Sequence, residues 1–219
     1  MGSDDFHKKT KERTTKRKRV EKKSVLIALE DTKSSKYYFE ELLKDKGLKG
    51  SVVFAQHIGT NPKKVLEALE KHKDNNKKER FEKEWIVIDK DSYSKDEINS
   101  VFQSADSKGI CVAFSNESYE LWVLLHFEKL TKWTNRKELN SKLKKIFEDR
   151  FSIEYTKSSR DIYRYIRSFQ KEAIKNAKSL VEMHKHNGKL KEHCDCNPLT
   201  TIFELVEYLN TQNFKSFLR

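Results

Sequence analysis

The chain has 219 residues, 36% hydrophobic and 37% charged, enough apolar material for one proper core with little to spare. Lys and Arg number 46 against 34 Asp and Glu, a net charge of +12, which reads either as affinity for polyanions, through counterion release, or as a solubilising lysine-rich surface. No run approaches the ~20 apolar residues of a membrane span, and three cysteines make no disulfide framework, so a membrane protein and a disulfide scaffold are excluded and a cytoplasmic location is expected.

Residues 1–23 hold ten Lys/Arg and four Asp/Glu, a net of +6. With almost no apolar residues to bury, they are expected to form a basic mobile arm, and they lack the apolar run of a signal peptide. Strand and helix signals then alternate. Ser24–Leu29 is a short continuous apolar run, as in a buried parallel strand. Lys36 to Lys46 follows as a helix with Tyr37, Tyr38, Leu42 and Leu43 on one face, ended by Gly47 and Gly50. Val52–His57 reads as a second strand. Asn61-Pro62 opens a helix that buries Val65, Leu66 and Leu69, and residues 72–80 read as a polar extension or loop.

Glu84–Asp89 is the third strand. Ser94 and Glu97 form a capping box for a helix that reaches Lys108-Gly109. Ile110–Phe114 is the fourth strand, and Ser115-Asn116 is expected to cap an apolar helix from Tyr119 to Phe127. This order predicts a parallel, doubly wound α/β sheet of about four strands with helices on both faces. From about residue 129 the pattern is helical only: 136–150, 159–184 and 200–209, the last opened by Asn197-Pro198. The expected organisation is an arm (1–23), an α/β core (24–128) and a helical C-terminal region packed on it (129–219).

Carboxylates end two of the strands. Glu30 follows the first, and Asp89-Lys90-Asp91 follows the third. In doubly wound sheets ligands bind outside the carboxyl ends of the strands, where strand order reverses. With the order 2-1-3-4, strands one and three are neighbours, and Glu30, Asp89 and Asp91 converge. Three carboxylates repel one another unless a cation sits among them, and an all-oxygen set selects Mg²⁺ or Mn²⁺. The plainer reading is that these are solvated loop acids or helix caps.

Four segments carry a resemblance: Glu30 to Ser35 followed by Tyr38-Phe39; Asp89-Lys90-Asp91; Ser115-Asn116 through Glu120, Trp122 and His126 to Phe127; and Asn197-Pro198-Leu199-Thr200-Thr201. A glutamate followed by Asp-x-Asp on this strand order resembles the Toprim domain of topoisomerases, primases and nucleases. More specifically, the chain from about Ser24 to Leu209 resembles the RloB family, small proteins associated with restriction-modification loci and abortive phage defence. The departures are Asp31 in place of the motif glycine, Thr32 and Ser35 in place of glutamates, and Glu117 in place of a proline. The glycine lets a phosphate approach closely, so Asp31 is expected to narrow or reroute the substrate path.

The resemblance implies a Toprim-like (Rossmann-like) fold and a Mg²⁺- or Mn²⁺-dependent nuclease that hydrolyses RNA or DNA in anti-phage defence. Glu30 would be general base or metal ligand, and Asp89 and Asp91 metal ligands. The implied partners are nucleic acid and an ATPase or other defence-system subunit, with no membrane. The alternative is a non-catalytic module that binds nucleic acid or a partner through a degenerate metal site.

Further residues remain open between chemistry and structure. Glu120 on the buried helix is either catalytic or a paired structural carboxylate, and His126 reads best as a hydrogen-bonded core histidine. Asn116, as a cap at the rim, is a candidate phosphate contact, as are Lys33 and Lys90 in the two acidic motifs. His184, His186, His193, Cys194 and Cys196 lack zinc-site spacing and read as a polar loop. Lys132, Arg136, Lys137, Lys142, Lys144 and Lys145 crowd one segment, and Lys157, Arg160, Arg164 and Arg167 the next, among Tyr155, Tyr163 and Tyr165. The arginines, spaced i, i+4, i+7, read as a ridge for a phosphate backbone or as a solvated face. Lys157, Arg160 and Arg164 are the candidate contacts.

Overall fold

The computed structural model describes residues 24–188 and 193–212; the expected basic arm lies outside them. Five strands form one sheet in the order β2-β1-β3-β4-β5. They are β1 (Ser24–Leu29), β2 (Val52–Phe54), β3 (Phe81–Asp89), β4 (Cys111–Asn116) and β5 (Leu199–Thr200). The first four pair in parallel and β5 runs antiparallel. The sheet is Rossmann-like, and alternation along the central strands shows why. Val25, Ile27, Leu29, Trp85 and Val87 enter one buried cluster, while Leu26, Ala28, Ile86 and Ile88 enter another. Both faces are therefore covered, as continuous apolar runs require.

One face is covered by α2 (Pro62–Asn75) and α3 (Lys95–Ser107), through Val65, Leu66, Leu69, Ile98, Val101 and Ala105. Asn61 caps α2, and the Ser94–Glu97 capping box starts α3. The other face carries α1 (Ser34–Asp45) together with the C-terminal helices: α4 (Glu120–Leu124), α5 (Arg136–Phe151), α6 (Ile162–Ile166), α7 (Gln170–His186) and α8 (Ile202–Thr211). Their apolar stripes, including Leu139, Leu143, Ala173, Ala177, Leu205 and Val206, join the same cluster as Val25 and Trp85.

Four elements differ from expectation. Ser115-Asn116 is the end of β4 and caps no helix. Asn197-Pro198 leads into β5, and α8 starts only at Ile202. Buried polar groups at the edge of β4 explain both changes, because they need partners. Thr201 N–H donates to Phe114 O (2.8 Å), Phe114 N–H to Thr201 Oγ1 (2.9 Å), and the Ser115 and Thr200 hydroxyls are 2.9 Å apart. The helix expected from Tyr119 to Phe127 spans five residues before its hydrogen bonds tighten to His126 N–H→Val123 O (3.3 Å) and Phe127 N–H→Leu124 O (2.9 Å). The helix expected over 159–184 is broken between α6 and α7 by a 3₁₀ turn, Arg167–Phe169. No described helix is long and apolar enough to cross a membrane.

Candidate active site

Glu30 is the first residue past β1. Its N–H donates to Val87 O at 3.1 Å, extending the β1–β3 ladder, and its Oε2 accepts from the backbone N–H of Asp89 at 2.7 Å. Residues far apart in the chain therefore meet at adjoining strand ends. Beyond β3 the Asp89-Lys90-Asp91 turn is stitched to the next strand, with Lys90 N–H on Ser115 O (2.8 Å) and Asp91 N–H on Glu117 O (2.9 Å). Asp91 takes a positive φ of 40°, a conformation aspartate tolerates better than most side chains. Such backbone is sustained where its surroundings over-determine it, and two backbone hydrogen bonds to the neighbouring segment do so here.

Burial pushes the Glu30 carboxyl up to about 8; the negative charges of Asp91 and Asp31 add to this, while the Asp89 N–H and Arg136 oppose it. The Asp89 carboxyl is likewise held well above its ordinary range by burial and then by Glu30 and Glu120, against a hydrogen bond from the Tyr119 backbone. The neutralising charge is Arg136. Its Nη1 is 3.1 Å from Asp91 Oδ2, and its Nη2 is 3.9 Å from Asp89 Oδ2. Arg136 opens α5 and is set by two caps: Glu117 Oε2 accepts its N–H at 2.8 Å, and Asn135 Oδ1 accepts Glu138 N–H at 2.9 Å.

In its chemistry the donor set would suit a hard divalent cation: Glu30, Asp89 and Asp91 offer carboxylate oxygens, mutually repelling, with one guanidinium among them. Among the described residues no group of three or more His, Cys, Asp or Glu side chains is already gathered as a metal shell. Asp91 would have to exchange Arg136 for the ion.

A family model described as RloB-like protein matches residues 25–209. The chain belongs to the RloB-like family. No curated protein and no solved structure matches it significantly. Within this RloB-like chain, two of the departures from the family pattern, Asp31 and Glu117, have local roles. Asp31 Oδ1 accepts Lys33 N–H (2.7 Å) and Oδ2 accepts Ser35 N–H (3.0 Å), so its carboxylate caps the start of α1. Glu117 holds the start of α5 in the same way.

Glu120 is 4% exposed and close enough to Asp89 and Arg136 to influence both, which places it with the acids. Lys33 is exposed where α1 begins, and Lys90 Nζ donates to Tyr93 O. Asn116 requires correction. It is buried and caps no helix, and its Nδ2 donates to Cys194 O (2.9 Å) and Cys196 O (2.8 Å), so its side chain anchors the Cys/His segment.

That segment is more than a polar loop. Cys196 is buried, His193 stacks on Phe102 at 4.8 Å, and His184 Nε2 lies 2.9 Å from Pro198 O. His126 is the core histidine expected, with Nδ1 2.9 Å from Trp122 O and its pKa lowered to about 4 by burial.

The arginine ridge does not form. Arg160 precedes α6, pairs with Glu40 (3.0 Å) and lies 4.1 Å over the Tyr37 ring, while Arg167, in the 3₁₀ turn, pairs with Asp45 (3.2 Å). Tyr155 and Tyr163 are buried and stack no bases. Lys157 and Arg164 are exposed. The residue that sequence reasoning undervalued is Arg136, counted among a basic crowd. The signal was Asn135 directly before it, an N-cap that fixes where α5 begins.

Proposed function

We propose that this chain is a Toprim-type, Mg²⁺- or Mn²⁺-dependent nuclease that hydrolyses phosphodiester bonds of RNA or DNA in anti-phage defence. The observation that carries the reading is that Glu30, Asp89 and Asp91 lie at adjoining strand ends, with the Glu30 carboxyl raised by burial and by Asp91, and the Asp89 carboxyl by burial and by Glu30. Glu30, Asp89 and Asp91 would hold the ion, which when bound supplies charge stabilisation at a scissile phosphate. Because burial holds the Glu30 carboxyl up to about 8 without an ion, ion binding there would release its proton, and the carboxylate would serve as a ligand or, in its place, as a base for water. Arg136 would stabilise the developing negative charge from the α5 side. Family membership supports the defence setting, in which an ATPase or another subunit is the expected partner.

The Arg136–Asp91 pair favours a second reading, in which the acids are neutralised internally and the chain serves as a binding module. Incubating the purified protein with tRNA, single-stranded DNA and plasmid, in Mg²⁺, Mn²⁺ or EDTA, separates the two. Metal-dependent cleavage that is lost in the near-isosteric Asp89→Asn supports the nuclease. Binding without cleavage in any metal supports the module.

A further inference from the structure

Two large hydrophobic side chains stand out as exposed among the described residues, Ile58 at 36% and Trp133 at 66%. Leaving a tryptophan in water forgoes a large burial gain, and the other two tryptophans of the chain, Trp85 and Trp122, are 4% and 0% exposed. Trp133 is not on a loose tip. The next residue, Thr134, is buried; its N–H donates to Asn197 Oδ1 at 3.0 Å and its carbonyl accepts from Asn197 Nδ2 at 2.9 Å. Asn135 and Arg136 then enter the capped start of α5. A single side chain thus clamps the backbone beside Trp133 from both sides, and the indole projects from a fixed base.

Its surroundings select a ligand class. Lys129, Lys132 and Lys137 are exposed near it in the chain, and none is in an ion pair among the described residues. Three residues further on, Arg136 reaches Asp91 and Asp89, and three residues of chain span at most about 11 Å. A flat aromatic on a fixed backbone among unpaired cations, on the segment that leads into α5 and Arg136, meets the two requirements of single-stranded nucleic acid: charge along the backbone and a stacking face for a base. A protein partner would seek a contiguous apolar patch, and around Trp133 the residues at 129, 131 and 132 are exposed and polar.

We infer that Trp133 is a base-stacking platform that holds an unpaired nucleotide of the substrate beside the acidic site. The inference rests on the nucleic-acid reading above and assigns single-stranded or locally unpaired strands as its substrate class.

The full chain, in EDTA, is titrated with oligo-dT and with an abasic strand of equal length and charge, following tryptophan emission. Because Trp133 is the exposed tryptophan, oligo-dT should quench it and bind about tenfold more tightly than the abasic strand. Trp133→Ala should remove most of that preference, and Trp133→Phe should keep part of it. Equal affinity for both strands, a preference that survives Trp133→Ala, or no binding to either strand would overturn the inference; the last is also what a protein-only surface gives. Cleavage is read separately in Mn²⁺. Cleavage in Mn²⁺ together with an oligo-dT preference that survives Trp133→Ala keeps the nuclease and removes the platform. A Trp133-dependent preference for oligo-dT with no cleavage in any metal keeps the platform and removes the nuclease.

Discussion

Arg136 Nη1 lies 3.1 Å from Asp91 Oδ2, so a cation delivered by the helical C-terminal part neutralises a carboxylate delivered by the sheet. Both side chains are about a third exposed, which limits the pair to about 1 kcal/mol. Its larger consequence is competition, because a divalent ion and the guanidinium seek the same oxygens. Arg136→Gln should lower the metal-free melting temperature by a few degrees and tighten Mn²⁺ binding several-fold by calorimetry. An Asp91→Asn/Arg136→Gln cycle should show coupling between the two sites. Mn²⁺ affinity that is unchanged or weaker in Arg136→Gln would mean the guanidinium does not hold the site against the ion.

Stability should fall as pH rises. The Glu30 carboxyl is at about 8 in the fold against an ordinary 4.5. Between those values the native state binds more protons than the unfolded chain, and the slope of unfolding free energy against pH is negative. The loss is at most about 1.4 kcal/mol per pH unit for one proton and should level off above pH 8. Melting temperature measured from pH 5 to 8.5 in EDTA should decline for the wild type and decline less for Glu30→Gln, which keeps an acceptor for the Asp89 N–H. Identical slopes would remove Glu30 as the group responsible.

Glu30, Asp89 and Asp91 were legible because strand alternation and a parallel order fix where strand ends lie, and acids there have few neighbours to choose from. Residues whose partners arrive from elsewhere in the chain were not. Asn116 looked like a cap because a helix follows it, yet its amide is taken by carbonyls at Cys194 and Cys196, a contact with no local sequence signal. Arg160 and Arg167 had helical spacing, but α1 offers Glu40 and Asp45, and α6 includes neither: Arg160 precedes it and Arg167 begins the 3₁₀ turn after it. Tyr163, which the sequence places among those arginines, is buried, its hydroxyl 3.1 Å from Asp45 Oδ2.

Asn116 is accordingly a structural anchor. Asn116→Ala removes two hydrogen bonds from a buried amide to loop carbonyls and should cost about 1–3 kcal/mol. The loosened segment should expose Cys194, now half-buried with its thiol pKa raised by burial. Its reaction with a thiol reagent should accelerate several-fold in the variant at constant pH, whereas a uniform loss of stability without faster labelling would place the effect elsewhere.

The final prediction separates paired from unpaired cations. A Lys or Arg that neutralises a phosphate contributes about 0.7 to the salt slope for a single strand, provided it does not first have to leave a carboxylate. Lys129, Lys132 and Lys137 are exposed and in no ion pair among the described residues, whereas Arg160 is held by Glu40 at 3.0 Å and by the Tyr37 ring at 4.1 Å. Replacing the three lysines by glutamine should reduce the dependence of log K on log salt by about 2 and leave the melting temperature within a degree or two. Arg160→Gln should do the reverse, leaving the slope intact while lowering the melting temperature slightly, since it removes an ion pair and a ring contact between α1 and the segment before α6. A slope that drops with Arg160→Gln and not with the lysine triple would move the bound strand from the α5 entrance to the seam between α1 and α6.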